Sequence, residues 1–198
     1  MFCFACTGGI GSGKSYVIKI FSALGIPAYV ADDRVKELYE IDSVLVDKLM
    51  ALLGNDIVVN GVLQKQVMAK KIFSDKMLLA KVNDIVHPRV LEDFYQWRET
   101  RQNEGKDMII YESAIFLETP RFWEVADKVI VVVAPEDVRI KRVMKRDGVD
   151  AEQVKQRIKN QWNDTMRLSM ADYTIHADGK RAVLPQVLRI IESVKVKN

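Results

Sequence analysis

The chain has 198 residues, is 48% hydrophobic and 29% charged, and carries a formal net charge of +3. That length suits one α/β domain with a small insertion, and the near balance of charge argues against nucleic acid as the main partner. No apolar run approaches the ~20 residues of a membrane span, and the apolar start lacks the basic region of a signal peptide. A cytoplasmic protein with no membrane partner, monomeric by default, is therefore expected.

In chain order, Phe2 to Cys6 is a short apolar run that predicts a buried strand. Its Cys3-x-x-Cys6 spacing could suggest a zinc or redox pair. With no other cysteine in the chain, two small apolar residues in a buried strand are expected instead. Next comes Gly8-Gly9-Ile10-Gly11-Ser12-Gly13-Lys14-Ser15, which fits G-x-x-x-x-G-K-[ST], the loop that holds nucleotide phosphates. Val17, Ile18, Ile20, Phe21 and Leu24 follow at helical spacing, so the loop joins a strand to a helix. Its glycines leave room for a phosphate, and its amides form an anion nest at a helix N-terminus. The expected nucleotide-binding residues are Gly9, Ile10, Gly11, Ser12, Gly13, Lys14, Ser15 and Tyr16. Lys14 suits the β- and γ-phosphates, and the Ser15 hydroxyl suits the Mg2+ that bridges them.

Ile26 to Val30 predicts a second strand, followed by helices over about Asp32–Glu40 and Val44–Leu53. Asp32 stands just past that strand, where carboxyl ends of parallel strands face ligand. There it is either an acid that orients a substrate hydroxyl and accepts its proton or a helix cap; Asp33 is expected to be a cap or solvated. Gly54-Asn55 and Asn60-Gly61 are turn signals, and further helices are predicted over Gln64–Phe73, Asp75–Val86 and Pro88–Gln102, with His87-Pro88 between the last two. Met108 to Tyr111 predicts a strand ending at Glu112, a place for a carboxylate near magnesium or substrate. Lys128 to Val133 is a β-branched run of the buried parallel type. From Arg139 to Arg167 nine Lys or Arg face four Asp or Glu. Arg139, Arg142 and Arg146 share a helix face, and Arg157 and Gln161 repeat a four-residue spacing on what reads as the next helix. Arginines suit a lid closing over phosphoryl oxygens. Tyr173 to Ile175 and a helix over about Arg181–Val194 complete the pattern. Strands alternating with helices imply a parallel sheet covered on both faces.

Taken together these landmarks resemble the dephospho-CoA kinases. They run from Thr7-Gly8-Gly9-Ile10-Gly11-Ser12-Gly13-Lys14-Ser15 through Leu24-Gly25-Ile26 and Ala31-Asp32 to His87-Pro88. Glu112-Ser113-Ala114-Ile115-Phe116-Leu117-Glu118 follows, then Arg142, Arg146-Asp147, Arg157 with Gln161, and Ala171-Asp172-Tyr173 with Gly179. The resemblance implies an α/β P-loop core with a five-stranded parallel sheet (about 1–31, 106–138 and 168–198), a helical CoA-binding region (about 32–105) and a lid (about 139–167). It implies ATP and Mg2+, dephospho-CoA as acceptor, Asp32 at the ribose 3′-hydroxyl, and His87 and Glu112 on the substrate side. Lys14, Arg142 and Arg146 would act on the transferring phosphoryl group, and Arg157 on the nucleotide. The chain departs from the family pattern at three places: Val30 replaces the first acid of Asp-Ala-Asp, Tyr16 replaces a common Thr, and Ala177 replaces an Asn. The rival readings are a nucleoside monophosphate kinase, a GTP switch, which lacks its Asn-Lys-x-Asp reader here, and a nucleic-acid motor.

Overall fold

A computed structural model describes residues 1–72 and 75–195. Phe73, the last residue of one predicted helix, and residues 196–198, within the expected core, lie outside the described residues.

In chain order the elements are β1 (Phe2–Thr7), α1 (Lys14–Ala23), β2 (Ala28–Val30), α2 (Ala31–Ile41), α3 (Ser43–Leu53), β3 (Val58–Val59), β4 (Val62–Leu63), α4 (Lys65–Ile72) and α5 (Lys76–Asn103). Then follow β5 (Met108–Glu112), β6 (Lys128–Val133), α6 (Glu136–Asp147), α7 (Ala151–Lys159), α8 (Asp164–Leu168), β7 (Tyr173–His176) and α9 (Val183–Lys195). The chain divides into two compact units, Met1–Tyr29 with Arg101–Asn198, and Val30–Thr100.

The first unit is built on a five-stranded sheet in the order β2-β5-β1-β6-β7. Central β1 runs parallel to β5, with Cys6 opposite Glu112, and to β6, with Thr7 opposite Val131. β6 runs parallel to β7 and places Val133 opposite His176. The carboxyl ends of four strands thus share one edge of the sheet. Helices cover the apolar strands: Val17, Ile18 and Phe21 of α1 and Val187, Ile190 and Ile191 of α9 are buried. Phe4 packs on Phe21 with centroids 5.9 Å apart, and Tyr29 stacks on Tyr111 at 5.4 Å. Cys3 and Cys6 are both buried in β1 and do not form a disulfide with each other.

The second unit is helical with one small hairpin. The turn signal at Asn60-Gly61 joins β3 to β4; both residues adopt positive φ, 51° and 77°, as a two-residue hairpin turn requires. Each strand has only two residues, too short for a readable alternation. The expected break at His87-Pro88 does not occur. Pro88 lies inside the 28-residue α5, and His87 is a mid-helix residue. Proline removes one ladder bond and costs about 3 kcal/mol in a helix interior. However, Val82, Val86, Val90 and Phe94 form one buried stripe at four-residue spacing across it, and this packing keeps the helix continuous. Asp42 caps α3 by accepting from Leu45 N–H (3.0 Å) and receives Arg89 Nε at 2.6 Å. Arg34 forks onto the Asp93 carboxylate.

Candidate active site

The site grows from the end of β1. Gly8 to Gly13 carry the chain from the strand into α1, which begins at Lys14. Two glycines are required by what approaches them. A Cβ on Gly9 would lie 2.2 Å from an Arg139 guanidinium nitrogen. At Gly11, φ is 75° and a Cβ would lie 2.6 Å from the Arg139 carbonyl oxygen. A side chain at Gly11 would push α6 off the loop, and one at Gly9 would displace the Arg139 guanidinium.

The loop amides divide into two sets. Ile10 N–H donates to Gln161 Oε1 (2.8 Å), Ser12 N–H to Gly9 O (3.1 Å) and Tyr16 N–H to Gly13 O (3.0 Å). Among the described residues the amides of Gly11, Gly13 and Ser15 have no acceptor within the chain. Of the expected nucleotide-binding residues, these three therefore present donors, whereas Ile10, Ser12 and Tyr16 have committed theirs. Ser12 is buried and its Oγ has no partner among the described residues. Tyr16 and Ser15 are exposed on the first turn of α1.

Lys14 Nζ folds back to donate to Gly8 O (2.9 Å) and stands 4.0 Å from Glu112 Oε1. Glu112 is buried at the end of β5, opposite Cys6. Burial, and then the Glu112 charge, push the Cys6 thiol far above the usual range, with Lys14 opposing. Arg142 donates to Gly11 O (3.3 Å), Ser12 O (3.2 Å) and Ala177 O (2.7 Å), so Ala177 meets α6 through its backbone. Arg146 pairs with Asp147 at 2.6 Å, and Arg157 reaches the same carboxylate at 2.9 Å. The hydrogen bond and charge of Arg146 hold the Asp147 carboxyl below its usual range. A cavity of about 140 Å³ is lined by Gly11, Gly13, Lys14, Ser15, Arg142, Val143 and Arg146. It brings together six of the expected residues, all but Val143 of its lining, at the donor end of a helix. Its size suits a phosphate group rather than a whole nucleotide, since ligand pockets run to about 300–1,000 Å³. A larger cavity, about 900 Å³, opens at the other ends of the strands, against Phe2 and Met108, and holds none of these residues.

Asp32 and Asp33 are in the first turn of α2, whose cap position is Val30, so neither caps it. Asp33 pairs with Lys36 at 2.7 Å. Gln161 lies beyond the end of α7 and not on it as expected; α7 stops at Lys159, and Asn163 begins the next capped helix. Two arginines of the basic stretch are buried, one of them expected on the lid face with Arg142 and Arg146. Arg139 is 5% exposed and Arg167 is 1% exposed. Arg167 donates to Glu118 Oε1 (2.8 Å), to Asp164 and to the Trp162 carbonyl. Arg139 carried a signal: it stands four residues before buried Val143, on the same stripe of α6. Nothing local marks Arg167.

Comparison with known proteins gives this arrangement its relatives. The family described as dephospho-CoA kinase (CoaE) matches residues 2–182. The chain belongs to the dephospho-CoA kinase family. A dephospho-CoA kinase of Porphyromonas gingivalis is 42% identical over 192 residues, covering 96% of this chain and 93% of the relative. One of Bacteroides fragilis is 37% identical over 185 residues, covering 93% and 89%. In fold, this dephospho-CoA kinase family member is similar to a solved protein of Thermus thermophilus (TM-score 0.80, 24% identity, 99% and 97% covered). It is also similar to a dephospho-CoA kinase of Campylobacter jejuni (TM-score 0.70, 22% identity, 97% and 96% covered). A shikimate kinase of Acinetobacter baumannii shares the fold at a TM-score of 0.57, with 100% and 95% covered and 13% identity. The fold is thus that of P-loop kinases, and the chain is a kinase of that type.

Proposed function

We propose that this chain transfers the γ-phosphoryl group of Mg-ATP to the 3′-hydroxyl of dephospho-CoA, giving coenzyme A and ADP. The observation that carries the reading is the loop whose Gly11, Gly13 and Ser15 amides lack acceptors among the described residues, beside Lys14, in a family of this activity. The amides and the N-terminal end of α1 hold the phosphates. Lys14 exchanges its carbonyl partners for β- and γ-oxygens. Arg142 and Arg146 add positive charge where the transferring group gains negative charge, and Arg157 steadies Arg146 through their shared Asp147. Magnesium fits the donor set: no group of three His, Cys, Asp or Glu could cage a metal among the described residues, and Ser15 offers one exposed hydroxyl. This suits an ion that takes its remaining ligands from phosphate and water. When bound, magnesium neutralises charge between the β- and γ-phosphates. Asp32, the second residue of α2, orients the acceptor hydroxyl and receives its proton. Residues 30–100, with His87, hold the rest of the acceptor, and Glu112 is a further substrate-binding residue.

The test is ADP release with Mg-ATP and dephospho-CoA, against AMP and shikimate as control acceptors. Release only with dephospho-CoA, with a product heavier by one phosphoryl group at the 3′ position, is expected. Equal release with a control acceptor overturns the substrate, and near-normal transfer by Asp32→Asn overturns the role of Asp32.

A further inference from the structure

Ile10 is held on both sides by side chains from the 139–167 segment. Its N–H donates to Gln161 Oε1 at 2.8 Å, and its carbonyl accepts from Arg139 Nε at 2.9 Å. A trans peptide is planar, with C=O and N–H pointing in opposite directions. With the Ile10 carbonyl turned toward Arg139, the Gly11 N–H in the same peptide plane is turned away from it. That N–H has no acceptor among the described residues, and Gly11 lines the 140 Å³ cavity. Arg139 itself is in no position to reach a phosphate. It is 5% exposed, its guanidinium rests on Gly9, and Asp164 balances its charge at 3.3 Å. Gln161 lies between α7 and α8, so its grip on Ile10 ties the lid's last connection to the loop.

We infer that Arg139 and Gln161 are positioning residues that clamp the Ile10 residue so that the Gly11 amide faces the nucleotide phosphates, making phosphate affinity depend on where the 139–167 segment sits. This rests on the nucleotide-binding reading above. A glycine-rich loop has many backbone states of similar energy, and its free amides point together only when something outside holds the carbonyls. Arg142, on the Ser12 carbonyl, does the same for the Gly13 amide.

The experiment compares Arg139→Met and Gln161→Met with the wild-type chain by Mg-ADP titration calorimetry, KM for ATP, kcat, and unfolding temperature without nucleotide. Both substitutions keep length and remove the contact to Ile10. Glu118→Gln serves as a control that loosens the same buried cluster through Arg167 and the Trp162 amide without touching Ile10. Each Met variant is expected to bind Mg-ADP about tenfold more weakly and to raise KM for ATP alike, as loss of a charge-assisted or buried hydrogen bond implies. kcat at saturating ATP is expected to change less. Glu118→Gln is expected to lower the unfolding temperature while binding Mg-ADP within about twofold of wild type. Wild-type affinity in Gln161→Met, which is partly exposed and tolerant of change, overturns the inference even if Arg139→Met fails to fold. So does a Glu118→Gln loss of affinity as large as theirs. A wild-type chain that does not bind Mg-ADP overturns the nucleotide reading itself, and this inference with it.

Discussion

Replacing Arg167 with Met removes the most deeply buried cation among the described residues. Its side chain is 1% exposed and meets Glu118, whose side chain is 18% exposed, and Asp164, 30% exposed. Breaking a buried ion pair by removing one partner costs about 3–5 kcal/mol. Two features lower that figure. Asp164 is exposed enough to hydrate, and Arg167 Nε already lacks a partner among the described residues, so its removal relieves one desolvated donor. A loss of about 2–3 kcal/mol remains, dominated by the Glu118 carboxylate and the Trp162 carbonyl left facing Met. For a chain of this size that is about 5–10 °C in unfolding temperature. Circular dichroism melts near neutral pH without nucleotide measure it. The double variant Arg167→Met with Glu118→Leu removes both charges and is expected to recover about half of the loss, since apolar replacement of a buried pair is often neutral. A single variant melting within about 2 °C of wild type, or a double variant melting below the single, refutes the reasoning.

Lys14→Met is expected to lower kcat/KM for ATP by about a thousandfold or more, with the fold kept by the loop's contacts to Arg139 and Arg142 but a lower melt, since buried Glu112 loses the charge 4.0 Å away; steady-state kinetics and melts check it. Asp42 provides a pH prediction. Burial pushes its carboxyl up, but the hydrogen bond from Arg89, the Leu45 amide and the Arg89 charge outweigh this and leave it below its usual range. A depressed carboxyl stabilises the fold above its unfolded pKa and loses that contribution as pH falls through the lower folded value. Urea midpoints from about pH 7 down to about pH 3 should therefore fall less steeply for Asp42→Asn than for wild type; equal slopes count against it. Cys6 should resist iodoacetamide near pH 8 in the native chain and react after unfolding, because burial holds its thiol protonated. Mass spectrometry of the labelled chain decides this.

The sheet and the loop were readable because both are written locally. Five contiguous residues predict β1, and eight predict the turn that follows it. Pro88 misled because proline is a local signal while the buried stripe from Val82 to Phe94 is a tertiary one, and the tertiary one prevailed. The hairpin at Val58–Leu63 was visible only as its turn, since two-residue strands have no period. Within the site, Lys14, Ser15, Arg142 and Arg146 could be named from spacing, and the structure places all four on one cavity. What each guanidinium holds could not be read. By spacing Arg139 belongs to the lid's arginine face and Arg167 only to a basic stretch, and packing shows both to be interior. The commitment of the Ile10, Ser12 and Tyr16 amides is likewise a matter of loop conformation, which residue types do not specify.

The order of strands has a consequence for how this kind of enzyme can change. β2 and β5 are neighbours in the sheet, yet everything from α2 to α5 is strung between them. One uninterrupted stretch of chain therefore leaves the sheet at one strand and rejoins it at the next, while β1, β6 and β7, with the phosphate loop, are encoded on either side. Because loop-closure cost grows only slowly with length, that stretch can lengthen, shorten or be exchanged as a block without disturbing the ladder of the remaining strands. A lineage can keep one five-stranded core and rewrite the stretch between β2 and β5 as a single cassette.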